Sequence, residues 1–232
     1  MSYGGSYGPK TFPIVANASY QHEITGTNFS TIATATDSDS VVAVVGGTTH
    51  MLSGVTSATV RRTINYTIQR PVFNFNISAA AGTLPSGFSP AYIAGLQYTI
   101  GVSRPSDNSA DAFVYANEWT DPSASTSDFN DIIKNTPEDN QYTNCDGNPV
   151  GLQTWKFTDG GPTYQSFVNA LMNGDSSWGI GMKHFKDYNQ AATTTNNICY
   201  FRSHAYATDT SLRPTITLHY TEPQVLFMGA NF

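Results

Sequence analysis

"SLRPTITLHYTEP" runs from Ser211 to Pro223. After Pro214, the residues Ile216, Leu218 and Tyr220 alternate with Thr215, Thr217, His219 and Thr221. Successive side chains of a strand point to opposite faces, so this segment buries one side and wets the other. Pro214 suits the start of a strand and Pro223 its stop, because proline brings no N–H to a ladder. A strand this well specified implies a sheet that needs it to complete its pairing.

The same period recurs upstream. Leu96, Tyr98, Ile100 and Val102 alternate through "GLQYTIGVS" (Gly95–Ser103), and Phe113 and Tyr115 through "DAFVYANEW" (Asp111–Trp119). "SVVAVVGG" (Ser40–Gly47) is a continuous apolar run that closes on a Gly-Gly turn signal. "TINYTIQRPVFNFNIS" (Thr63–Ser78) reads as two short strands split at Pro71, or as one strand broken there. "WGIGMKHF" (Trp178–Phe185) and "ICYFRSHA" (Ile198–Ala205) add two more strands.

Two segments carry helical spacing instead. "STSDFNDIIKN" (Ser125–Asn135) places Phe129, Ile132 and Ile133 on one helix face, with Ser127 as N-cap. "PTYQSFVNALMNG" (Pro162–Gly174) places Tyr164, Phe167, Val168, Leu171 and Met172 on one face, with Thr163 as cap and Gly174 as stop. Many short strands separated by turn clusters predict a mainly β chain. The expected form is a β-sandwich or jelly roll of antiparallel strands with one or two short helices. The expected organisation is an N-terminal arm (1–20), a β-sandwich domain (21–223) and an apolar C-terminal tail (224–232).

Only 12% of the 232 residues are charged, about half the usual share of roughly 25%. The net charge is −6 and no basic run extends beyond Arg61-Arg62, which argues against a nucleic-acid groove. No apolar run reaches the length of a membrane span. "MSYGGSYGPK" lacks the apolar stretch of a secretory signal, so the expected site of synthesis is a reducing cytosol. Cys145 and Cys199 are then expected as thiols.

Candidate chemistry is sparse. His22, His50, His184, His204 and His219 show no zinc-like i, i+4 pair. Neither a nucleophile elbow nor a phosphate-binding glycine loop occurs. Cys145 or Cys199 paired with His204 lacks any sign of a positioned base. Asp107, Asp111, Glu118, Asp121, Asp128 and Asp131 read as turn formers and caps. Ca²⁺ is the lesser alternative for these carboxylates, without EF-hand spacing. No catalytic residue, cofactor or metal ligand is assigned, and the chain reads as a non-enzyme. "NAS" at Asn17, "NFS" at Asn28, "NYT" at Asn65 and "NIS" at Asn76 match glycan acceptors, as chance allows in so Asn- and Ser/Thr-rich a chain. Trp155 and Trp178 read as core, whereas Tyr142 and Tyr188 are expected in polar loops and are candidates for surface glycan contact. Partner contact is expected from Tyr3 and Tyr7 in the arm. In the tail it is expected from Val225, Leu226, Phe227, Met228 and Phe232, since exposed apolar segments mark interfaces.

The order of elements resembles a known family. "RPVFNFNIS…AGTLPSGFSPAYIAGLQYTIGV" and the later "WKFTDGGPTYQSFVNALMNGDSSWGIGMKH…CYFRSHAYATDTSLRPTITLHYT" resemble the DNRLRE-type β-sandwich domains over roughly residues 60 to 221. Departures are Phe75-Asn76, Phe201-Arg202-Ser203 and the strands before Thr63. The resemblance implies a non-enzymatic virion structural protein of a bacteriophage: a capsid decoration, head fibre or tail component. It would be made in the host cytoplasm and displayed on the particle, bound to other virion proteins or to copies of itself, with host surface glycan as a further partner. Nucleic acid and membrane insertion are not expected. The alternative is an accessory carbohydrate-binding module of a secreted or cell-surface bacterial protein.

Overall fold

A computed structural model describes residues 10–44, 50–82, 84, 88–104, 113–119, 125–129, 132, 142–144, 151–157 and 160–221. In chain order the elements are β1 (Lys10–Gly26), α1 (Phe29–Ala33), β2 (Ser40–Ala43), β3 (His50–Val60), β4 (Thr63–Asn76), α2 (Ile77–Ala81) and β5 (Ile93–Arg104). There follow β6 (Phe113–Trp119), β7 (Tyr142–Asn144), β8 (Gly151–Phe157), α3 (Pro162–Asn173), β9 (Ser177–His184), α4 (Phe185–Tyr188), β10 (Asn197–Arg202) and β11 (Thr215–Tyr220). The chain is mainly β, antiparallel and consistent with a sandwich.

The pairings close on themselves. β1 pairs β11, β11 pairs β5, β5 meets β10, β10 pairs β3, β3 pairs β4, and β4 returns to β1. The three long strands make this closure possible by changing partners along their length. β1 pairs β11 through Lys10–Val15 and β4 from Ala16 onward, with a bulge between Ala16 and Ala18. β4 pairs β3 up to Gln69 and β9 from Val72. Pro71 falls in the gap between those two ladders, where no strand on that edge asks for its missing N–H. The segment is therefore one strand, not two.

The interior is aromatic. Tyr98 lies 6.2 Å from Phe73, 6.3 Å from Phe75 and 5.4 Å from Trp155 between ring centroids. Phe201 continues the chain of rings 6.3 Å from Trp155. Such stacks add to burial alone, which at about 25 cal/mol per Å² is the main source of stability. The alternation expected in β5 and β11 is present: Leu96, Tyr98, Ile100, Val102, Ile216, Leu218 and Tyr220 are all buried. α3 closes one side with Tyr164, Phe167, Val168 and Leu171, and ends at Gly174 in the left-handed region (φ 72).

Four expectations need correction. Residues 10–20, assigned to an arm, form the first half of the central strand β1. The run at Ser40–Gly47 gives a short, exposed edge strand, β2, with Val42 59% accessible. α3 has Gly161 at its N-cap position and Pro162 in its first turn, and Thr163 is buried instead of capping. Ser127, expected as an N-cap, instead lies within a 3₁₀ turn, Thr126–Asp128, capped by Ser125; most of the helix expected after it lies outside the described residues. At the end of the turn the Phe129 carbonyl is turned toward a buried arginine.

Candidate functional site

β4 is covered on both faces. Phe73 and Phe75 enter the main core, while Ile68, Arg70 and Val72 project from the opposite face into two smaller apolar clusters. The register sets His22 of β1 directly opposite Arg70. The β4–β9 ladder ends at Val72↔Gly181, so two residues further Lys183 comes level with Arg70. His22, Arg70 and Lys183 thus form a row across three neighbouring strands, and all are buried. Buried cations are costly unless paired.

One carboxylate answers the row. Asp187 on α4 receives Arg70 Nε at 2.7 Å and Nη2 at 2.8 Å, a two-point pair. Arg70 Nη1 donates to the Phe129 carbonyl at 2.6 Å and Nη2 to the Ala33 carbonyl at 2.9 Å. Its guanidinium also lies 3.8 Å from the Phe129 ring centroid. A single side chain therefore fastens the end of α1, the turn at Phe129 and α4 to the back of β4.

The neighbours of Arg70 complete the picture. Burial, then the adjacent Arg70 charge, lower the Lys183 pKa to about 8, and Asp187 offsets this only in part. His184 Nδ1 accepts the Lys186 N–H and caps the helix that carries Asp187. The His22 ring packs 6.5 Å from Phe129, with its Nδ1 3.4 Å from the Ser38 hydroxyl. Arg70, Asp187, Lys183 and His184 are enclosed and engaged with backbone or with a neighbouring charge, an arrangement that binds segments together.

The remaining candidates are dispersed. His204 Nδ1 lies 2.9 Å from Ser19 Oγ, and burial followed by the Arg213 charge lowers its pKa. Cys199 is buried on β10, and Cys145 lies outside the described residues. Asn28 and Asn76, both in glycan-acceptor triplets, cap α1 and α2, and each also accepts the hydroxyl of the serine two residues on. Local helix starts explain those two triplets. Trp155 and Trp178 are core. Tyr188 ends α4 and is half-buried against Val72 and Ile132, not in a loop. Tyr142 opens β7. Glu118 belongs to β6 and Asp128 to the 3₁₀ turn, while Asp107, Asp111, Asp121 and Asp131 lie outside the described residues. So do Tyr3, Tyr7, Val225, Leu226, Phe227, Met228 and Phe232. Among the described residues no cluster of His, Cys, Asp and Glu is placed to hold a metal ion.

The exposed counterpart to the Arg70 cluster is a four-strand face made by β1, β11, β5 and β8. Its rungs are Val15, Thr215, Thr99 and Thr154, then Pro13, Thr217, Gln97 and Lys156. His219 stands between Thr11 and Gly95 on the next rung. Mostly short polar side chains, with Val15 and Pro13 among them and Lys156 the one cation on these rungs, leave this face weakly charged.

The buried arginine was legible only as an oddity, a charge inside "TIQRPVF". Its partner stands 117 positions away, with no local spacing to announce it. No protein-family model matches the chain, and no curated protein sequence matches it either.

Proposed function

We infer that this chain is a non-enzymatic structural protein of a bacteriophage virion, a capsid decoration, head fibre or tail component displayed on the particle. The observation that carries the reading is the order of elements. β4 running into the short helix α2, then β5, β8, α3 ending at Gly174, β9, β10 and β11 follow the order that carries the resemblance to DNRLRE-type domains. The placement of charge supports it. The Arg70 cluster fastens segments, and the Thr-lined face is suited to packing or display. The role needs a rigid scaffold with weakly charged outer surfaces, and the closed ring of strands supplies one.

Light scattering of the full chain and of a chain ending at Pro223 tests this. The expected result is a stable oligomer for the full chain and a monomer after truncation, with the apolar tail as the contact. A monomer in both cases overturns self-assembly through the tail.

A further inference from the structure

The hairpin joining β3 to β4 runs past the rest of the sheet. β10 pairs β3 only as far as Val55, and β1 pairs β4 only from Tyr66. Beyond those rungs Ala58, Thr59 and Val60 pair Asn65, Ile64 and Thr63 and no other strand among the described residues. Residues 58–64 are all exposed. Val60 is 51% accessible on one face of this ribbon and Ile64 37% on the other. A two-stranded ribbon without a covering layer is marginal in water, so this one projects at a cost to the fold.

The tip adds strain. Arg61 and Arg62 link the paired residues Val60 and Thr63 with φ of 49° and 71°. Positive φ at both central residues is the hairpin geometry that favours Asn-Gly, and backbone strain of this kind gathers at functional sites. Two arginines hold it here, although only 11 of the 232 residues are Lys or Arg. Neither makes an ion pair with a described residue.

The complement lies at the ribbon's base. Gly26 of β1 pairs Tyr66, and just before it Glu23, Asp37 and Asp39 gather where β1 meets β2. The Asp39 N–H donates to the Glu23 carbonyl at 2.9 Å, and the Asp39 carboxylate accepts the Thr25 N–H at 2.6 Å. Asp37 and Asp39 are exposed, and none of the three carboxylates makes an ion pair with a described residue. Arg62 stands four residues beyond Tyr66, about 13 Å along the strand, so the ribbon carries its charges away from its own acidic corner. We propose that the ribbon is an interaction surface for a second copy of this chain. Arg61 and Arg62 of one copy seat against Glu23, Asp37 and Asp39 of the other, and a two-fold axis repeats the contact in reverse. A two-fold contact needs self-complementary patches on one molecule, and a basic tip and an acidic corner at the same end supply them. Exposed ion pairs are individually weak and screened by salt, so this contact is salt-sensitive.

The contact is separate from the tail and does not depend on it. Sedimentation equilibrium of the full chain in about 20 mM and about 500 mM salt tests it. The mass at low salt should be at least twice that at high salt. Arg61→Glu/Arg62→Glu should lose this increase, and so should Glu23→Arg/Asp37→Arg, which reverses the corner and spares the Asp39–Thr25 bond. An equal mixture of the two variants should regain it, since each tip then meets a corner of opposite charge, and that rescue shows that both variants fold. Arg62→Gly should weaken the pairing while raising the melting temperature, the trade expected of strain kept for a contact. Equal masses at the two salts, pairing by either charge-reversed variant alone, or a mixture that stays unpaired would each overturn the ribbon contact. Ending the chain at Pro223 should lower the mass at high salt and leave the low-salt increase, so failure of the tail contact shows as an unchanged high-salt mass.

Discussion

The two faces of β4 solve burial in opposite ways. Phe73 and Phe75 enter a core of rings held by area and shape, while Arg70, two turns of the pleat earlier, enters a charged centre held by direction. The apolar side tolerates any filling of similar volume. The charged side depends on a few distances, because a guanidinium that loses its carboxylate remains buried and unpaired. The difference teaches that loss at the two sites should differ in form more than in size.

Asp187→Ala and Trp155→Ala are the sharpest pair. The first removes the partner of Arg70 and should cost about 3–5 kcal/mol. The second opens a cavity in the ring stack and should cost a similar 3–5 kcal/mol. Hydrogen exchange separates them: Asp187→Ala should raise exchange locally in α1 and α4, whereas Trp155→Ala should lower protection throughout the sheet. The same pattern in both would erase the distinction between the faces.

Lys183→Met should act in the reverse direction. The lysine is lowered from 10.5 to about 8 in the fold, so at pH 7 the native state carries a strained charge. Removing it should stabilise by roughly 3 kcal/mol at one unit of pKa per 1.36 kcal/mol. The sign follows from proton binding. Between about 8 and 10.5 the unfolded chain holds a proton that the folded chain has lost, so wild-type stability rises with pH through that window. The advantage of the methionine variant should vanish above it. Tyr98 works the other way, since burial raises its pKa well above 10.0 and stability falls as pH rises past that value. Urea midpoints between pH 7 and 11 check both.

Smaller effects lie away from both faces. Asn76→Ala removes the α2 cap and should cost about 1 kcal/mol. At the β3–β4 turn, Arg61 and Arg62 both sit at positive φ, 49° and 71°, a region that costs a side chain roughly 1–2 kcal/mol. Arg62→Gly should therefore raise stability by about 1 kcal/mol, read as a higher melting temperature.

What the sequence made legible tracks these two kinds of order. β5, β11 and α3 were readable because each buries an unbroken periodic set against the main core. β1 was not. Its buried positions run Ile14, Ala16, then Ser19, His22 and Ile24, and the bulge at Ala16–Ala18 shifts their phase midway. Several of them are small or polar, so no alternation survives in the letters. The Arg70 cluster was hidden for a related reason: hydrogen bonds to Ala33 and Phe129 and the pair with Asp187 join residues that only the closed ring of strands brings together. Between Thr63 and Tyr220 the elements β4, β5, β6, α3, β9, β10 and β11 could, by contrast, be followed in order, whereas the short elements α2, β7 and α4 could not.

The most direct test is a double-mutant cycle on Arg70→Met and Asp187→Leu, read by equilibrium urea unfolding at pH 7. A fastener made of one buried, two-point ion pair predicts a coupling of about 2–3 kcal/mol, near the top of the range for residues in contact. In that case the double variant loses clearly less than the sum of the singles. Additive losses, with coupling near zero, would contradict the account and leave Arg70 as a donor to the Ala33 and Phe129 carbonyls alone.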